Sequence, residues 1–129
     1  MLIRVHHISI ICSNYDCSKN FYTEILGLEV IRETYRQERK SYKLDLALRG
    51  EYILELFSFP DPPVRISRPE ACGLRHLAFE VDDLDKEVQN LEKKNIKTEP
   101  IRVDGNTGQR FTFLLDPDNL PIELYEGVH

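Results

Sequence analysis

Apolar and polar residues alternate through two stretches that resemble one another. Residues 5–11 read Val-His-His-Ile-Ser-Ile-Ile, and residues 74–81 read Leu-Arg-His-Leu-Ala-Phe-Glu-Val. A period of two with aliphatic enrichment predicts a strand whose two faces meet different surroundings. Each stretch runs into a polar turn with helix N-cap residues, Ser13-Asn14-Tyr15-Asp16 in the first case and Asp82-Asp83 in the second. The period then lengthens. Phe21, Tyr22, Ile25 and Leu26 recur at helical spacing between Asp16 and Leu26, and Gly27 stands where a left-handed C-cap is expected. Leu84, Val88 and Leu91 mark the apolar stripe of a second helix ending near Lys94-Asn95.

Three further strands follow each helix. The first set is Leu28 to Arg32, Tyr42 to Leu48 and Tyr52 to Phe59, with a tight turn at Arg49-Gly50-Glu51. The second is Lys97 to Val103, Arg110 to Leu115 and Leu120 to Glu126, with turn-forming residues at 104–108 and 116–119. The order β-α-β-β-β is thus written twice, which predicts an α+β fold of two tandem βαβββ modules, at about residues 3–60 and 73–127. The segment between them, about 60–72, holds Pro60, Pro62, Pro63 and Pro69 and reads as a stiff linker inside one 129-residue domain. Self-similarity supports the duplication: an offset of 69 carries His7 to His76, and an offset of 68 carries Glu55 to Glu123.

Composition narrows the function classes. A net charge of −5, from 22 acidic and 17 basic residues, with the basic ones scattered, argues against a nucleic-acid surface. No apolar run is long enough to span a bilayer, and the N-terminus lacks a signal-peptide core. Cys12, Cys17 and Cys72 form an odd set without a CxxC, as expected of a cytoplasmic protein with thiols. Cys12 and Cys72 are expected to be small buried hydrophobes.

The candidate chemistry lies in the repeat. His7 and Glu55 are 48 residues apart (55 − 7), and His76 and Glu123 are 47 apart (123 − 76). Each Glu is flanked by aliphatic residues, Leu54 and Leu56 or Ile122 and Leu124, so alternation turns the carboxylates away from the helix-packed face. A carboxylate so placed is costly without a cation. Two imidazoles and two carboxylates suit one divalent ion such as Ni, Co, Zn, Mn or Fe, with open positions for water or substrate. His6 faces the other way and reads as structural or exposed. Tyr35, Tyr42 and Phe57 are candidates for pocket lining or core, and Arg110 for anion binding or a solvated charge.

These residues carry a family resemblance. His-Ile-Ser-Ile at 7–10, Ser-Lys-Asn-Phe-Tyr-Thr-Glu-Ile-Leu-Gly-Leu at 18–28, Leu-Glu-Leu-Phe at 54–57, Gly-Leu-Arg-His-Leu-Ala-Phe-Glu-Val-Asp-Asp at 73–83 and Phe-Leu-Leu-Asp-Pro-Asp-Asn-Leu-Pro-Ile-Glu-Leu at 113–124 resemble the vicinal oxygen chelate superfamily, and within it the glyoxalase I group. The resemblance implies the glyoxalase/bleomycin-resistance/dihydroxybiphenyl dioxygenase fold. It places His7, Glu55, His76 and Glu123 on the four metal-ligand positions. It also implies a lactoylglutathione lyase-like reaction: a proton moves between adjacent carbons through an enediolate, with the metal as Lewis acid. Glu123 is the first candidate for the base and Glu55 its partner. A homodimer is implied, with His7 and Glu55 of one subunit meeting His76 and Glu123 of the other.

The chain departs from the glutathione-using members at two positions. Ile11 stands where they carry an Arg, and Phe59 where they carry an Asn. The expected substrate is therefore a small molecule other than the glutathione hemithioacetal. The alternatives are an Fe(II)-dependent ring-cleaving dioxygenase, which would use two His and one Glu, and a non-catalytic small-molecule or drug-binding protein of the same fold.

Overall fold

The structure is a computed structural model that describes residues 1–128. The chain divides into two compact units, Met1–Val64 and a second beginning at Arg65.

Unit 1 contains β1 (Ile8–Cys12), α1 (Tyr15–Asn20), β2 (Glu29–Arg36), β3 (Ser41–Leu48) and β4 (Glu51–Ser58). Asn14 caps α1 by accepting a hydrogen bond from the Cys17 amide at 3.1 Å. The helix runs on as a π-helical turn over Phe21–Ile25. It ends at Gly27, whose φ of 84° is the left-handed value a C-cap needs. There the Leu28 amide donates to the Tyr22 carbonyl and the Gly27 amide to the Thr23 carbonyl, both at 2.9 Å. The strand order is β1-β4-β3-β2, with β1 parallel to β4 and the other pairs antiparallel. Arg49 and Gly50, both at positive φ, close the β3–β4 hairpin.

Alternation sorts the side chains. Ile10, Cys12, Leu44, Leu46, Leu54 and Leu56 are buried, with Phe21, Tyr22 and Leu28 contributed by the helix and the segment after it. Each such aliphatic side chain contributes about 1.5–3 kcal/mol on burial. Ser9, Ile11, Glu55 and Phe57 alternate with them and remain at least partly open.

Unit 2 repeats the plan with β5 (Leu77–Val81), α2 (Leu84–Lys93), β6 (Arg102–Val103), β7 (Arg110–Leu115) and β8 (Pro121–Glu126), in the order β5-β8-β7-β6 with β5 parallel to β8. Asp83 caps α2 by accepting from the Lys86 amide at 3.0 Å. Asn95, at φ 62°, ends the helical segment. Leu84, Leu91, Leu114, Leu120, Ile122 and Leu124 are buried. The two-module α+β architecture is the one the alternation predicts.

Four elements differ from expectation, and the first is β1, which begins at Ile8 rather than Val5. β2 extends to Arg36, beyond Arg32, because this edge strand is exposed on both faces and carries no burial period to read. β6 shrinks to two residues, since Pro100 has no amide to donate. The chain ahead of it is held instead by the Glu99 amide on the Phe113 carbonyl at 2.9 Å and the Thr112 hydroxyl on the Glu99 carbonyl at 2.6 Å. β5 starts at Leu77 rather than Leu74, because the Arg65 guanidinium takes the carbonyls of Leu74 and Arg75 at 2.9 and 3.0 Å. The proline-rich segment is therefore stitched to unit 2 over its second half. Among the described residues, no helix is long and apolar enough to cross a membrane.

Candidate metal centre

Each unit brings one His to one Glu. His7 stands one residue ahead of β1, and its Nε2 lies 3.4 Å from Oε1 of Glu55 on β4. His76 stands one residue ahead of β5, and its Nε2 lies 3.4 Å from Oε2 of Glu123 on β8. Parallel pairing produces both contacts, because Ser9 is level with Glu55 and Ala78 with Glu123. The two pairs belong to different units, and among the described residues no group of three or more potential ligand side chains forms.

The donors fit a divalent ion. Two ligands at bond lengths near 2.1 Å lie about 3.0 Å apart in a cis-octahedral site and about 3.4 Å apart in a tetrahedral one. The observed separation is of that size in both units. The side chains are partly open, His7 to 36% and His76 to 28%, with Glu55 at 12% and Glu123 at 14%. Each pair offers one imidazole and one carboxylate that solvent reaches.

The surroundings of the two carboxylates are unlike. Ser9 donates to Oε1 of Glu55. The Tyr52 hydroxyl lies 2.9 Å from Oε2 of Glu55 and 3.0 Å from Oδ1 of Asp45, so its proton serves either carboxylate. Lys43 Nζ stands 3.6 Å from Glu55 and 3.2 Å from Asp45, and Arg32 Nε 3.1 Å from Asp45. Burial pushes the Glu55 carboxyl up, but hydrogen bonds from Ser9 and Tyr52 and the charges of His7 and Lys43 outweigh it and hold the group below the usual glutamate range. The residues level with Glu123 on the neighbouring strands are Ala78 and Phe113, which have no side-chain donor.

Several residues around the first pair escape a reading of alternation alone. His6 is not turned away: its Nδ1 lies 2.8 Å from Nδ1 of His7, and its ring meets Tyr52 edge-on. Tyr52 stacks on His7 with centroids 5.1 Å apart and planes 20° from parallel. Asp45 is 1% exposed within Lys-Leu-Asp-Leu, and a charge in that company was the available signal that it has partners.

Other expectations change. Ile11 is 56% exposed on the face that carries Ser9 and Glu55. Phe59 stacks on Phe57. Tyr35 and Tyr42 form an exposed ladder with Tyr15, whose ring lies 4.2 Å from that of Tyr42. Arg110 is engaged by Glu126 at 3.0 Å and Asp85 at 2.9 Å, a structural clamp rather than an anion site. Cys12 is buried as expected, but Cys72 is exposed.

Known proteins resemble this chain in sequence and in fold. Residues 4–124 match the family model of the Glyoxalase/Bleomycin resistance protein/Dioxygenase superfamily. "Uncharacterized protein YwkD" of Bacillus subtilis is 66% identical over 126 residues, 98% of each chain. A crystal structure of a glyoxalase family protein from Enterococcus faecalis is 50% identical, with a TM-score of 0.88 over 95% of this chain and 97% of that one. A lactoylglutathione lyase of Schizosaccharomyces pombe is 30% identical over 94% of this chain, which spans 46% of the yeast protein.

Proposed function

The chain belongs to the glyoxalase/bleomycin resistance/dioxygenase superfamily, and from that premise we propose that it is a divalent-metal-dependent lyase or isomerase of the glyoxalase I type. The observation that carries the proposal is the His–Glu pair built twice at the same 3.4 Å separation. Divalent metal binding is typical of the superfamily. His7, Glu55, His76 and Glu123 would hold the ion, which when bound supplies a Lewis acid that favours negative charge on a substrate oxygen.

The chain's own residues then divide the work. Glu55, fixed by Ser9, Tyr52 and Lys43, is an anchor with little freedom to leave its place. Glu123 has no donor side chain level with it on the neighbouring strands, and it would take a proton from a substrate carbon and return it to the neighbouring carbon. His7 is oriented by Tyr52 and His76 by the edge of Phe113. The fourth donor, Glu55, separates this reading from a two-His, one-carboxylate oxygenase. Ile11 and Phe59 leave the glutathione carrier without the polar groups that would hold it, so the substrate is a different small molecule. The proposal includes a homodimer in which each subunit contributes one half-set of ligands.

The test is metal analysis of the purified protein and of His7→Ala and His76→Ala. One ion per site, lost in either variant, is expected. Metal content unchanged in both variants would overturn the proposal.

A further inference from the structure

The chain that leads into His76 lies outside the sheet. β5 pairs with β8 only from Leu77, level with Ile122, so the carbonyls of Leu74 and Arg75 have no place in that ladder. Arg65 supplies their donor. Its Nη2 lies 2.9 Å from the Leu74 carbonyl and 3.0 Å from the Arg75 carbonyl, and both hydrogen bonds are charge-assisted. The Arg75 carbonyl and the His76 amide belong to one planar peptide unit. Holding that oxygen therefore sets the plane from which the His76 side chain departs.

The guanidinium is itself held. Its Nε donates to the Ser67 hydroxyl at 3.0 Å, and that hydroxyl donates to the Asn119 carbonyl at 3.3 Å. Asn119 belongs to the turn between β7 and β8, and the turn is well braced. The Asp116 carboxylate accepts from the amides of Asp118 and Leu120, each at 2.8 Å, and the Asn119 amide donates to the Asp116 carbonyl at 3.0 Å. β5 and β8 run parallel, so Leu74 and Asn119 stand equally far ahead of the paired Leu77 and Ile122 (77 − 74 and 122 − 119), at the same end of the sheet. One side chain thus ties the entry of the strand behind His76 to the entry of the strand that carries Glu123. Arg65 and Ser67 are half-buried, within reach of a small solute.

Unit 1 uses a different device. The offset of 69 carries Leu74 and Arg75 back to Val5 and His6, which are exposed and precede β1. There His7 is oriented through its side chain, against Tyr52 and His6.

We propose that Arg65 is a positioning residue for His76: by tying the Leu74 and Arg75 carbonyls to the turn ahead of β8, it sets the place of the imidazole beside Glu123. The inference rests on the reading of His76 as a metal ligand and deepens it, since it names what holds that ligand ready.

Arg65→Ala tests it, with Co(II) as the metal probe. Co(II) affinity, read from ligand-field absorption, is expected to fall about tenfold. Guanidinium chloride at millimolar concentration, far below denaturing levels, is expected to restore it by refilling the vacated position, and equimolar sodium chloride is not. In the metal-free protein, the His76 ring resonances, assigned by their loss in His76→Ala, are expected to shift in Arg65→Ala and to return with guanidinium. A general loss of stability would not be relieved by a denaturant. A His76 resonance that stays in place overturns the inference. So does a lowered Co(II) affinity that guanidinium does not restore, or one that His76→Ala lowers and Arg65→Ala does not. A resonance that shifts and returns, in a protein whose Co(II) binding is untouched by His76→Ala, keeps Arg65 in its role and overturns the ligand reading instead.

Discussion

The Tyr52 hydroxyl lies 2.9 Å from Oε2 of Glu55. The same residue stacks its ring on His7, so one side chain touches both members of the first His–Glu pair. Groups that orient metal ligands from behind typically govern affinity by about 10–100-fold. Tyr52→Phe keeps the ring and removes the hydroxyl. Its metal affinity, read by competition with a chromophoric chelator, is expected to fall about tenfold. An unchanged affinity would show that Glu55 needs no such support.

The unlike surroundings of the two carboxylates predict unlike consequences of removing them. Glu123→Gln is expected to slow solvent-deuterium exchange at the substrate carbon by about 10²–10⁴-fold per bound metal. Glu55→Gln is expected to lower metal affinity more than it lowers exchange per bound metal. The opposite ranking would assign the base to Glu55.

The proposed sharing of ligands between subunits predicts complementation. His7→Ala and His76→Ala subunits, unfolded together and refolded, form mixed dimers in which one site regains all four ligands and the other loses both histidines. Random C2 pairing restores about one quarter of the wild-type sites. Metal content after refolding is the measurement. No recovery would place all four ligands within a single chain.

Glu33 predicts a small acid-sensitive contribution to stability. Lys19 Nζ lies 2.7 Å away, and Tyr15 donates to the same carboxylate. These hydrogen bonds hold the Glu33 carboxyl below the usual glutamate range, against a weaker upward push from burial. The folded-state value is depressed, so its stabilisation is present above the ordinary pKa of about 4.3 and is lost as pH falls through the depressed value. The pair is partly exposed, so Glu33→Gln is expected to lower Tm by only about 1–3 °C at pH 7. Thermal melts should converge as the pH is lowered below the usual glutamate range. A gap that persists there would trace the effect to packing.

The two His–Glu pairs were legible because strand alternation and duplication act along the chain. A period of two turned Glu55 and Glu123 away from the leucines, and the repeat supplied the matching histidines. The network around Glu55 was not legible, because it depends on register across strands. Ser9, Asp45 and Glu55 come level only when β1, β3 and β4 pair as they do, and no local pattern indexes that alignment. Tyr52 reads locally as one more strand aromatic; its role appears only where it meets Glu55, Asp45 and His7. β6 failed for a local reason that was present in the sequence, Pro100, whose missing amide outweighed the strand-like residues beside it.

The parallel β1–β4 ladder has a consequence for the order of folding. The β3–β4 hairpin closes over the two residues Arg49 and Gly50, whereas β1 must return to β4 across 46 residues of chain, as the Ser9–Glu55 contact records. Chain-closure entropy delays such distant pairings relative to local ones. His7 therefore reaches Glu55 among the last events in its unit, and β5 imposes the same delay on His76 and Glu123. Each half-set matures only when its module is complete, so affinity for a metal would report the finished fold rather than its early intermediates.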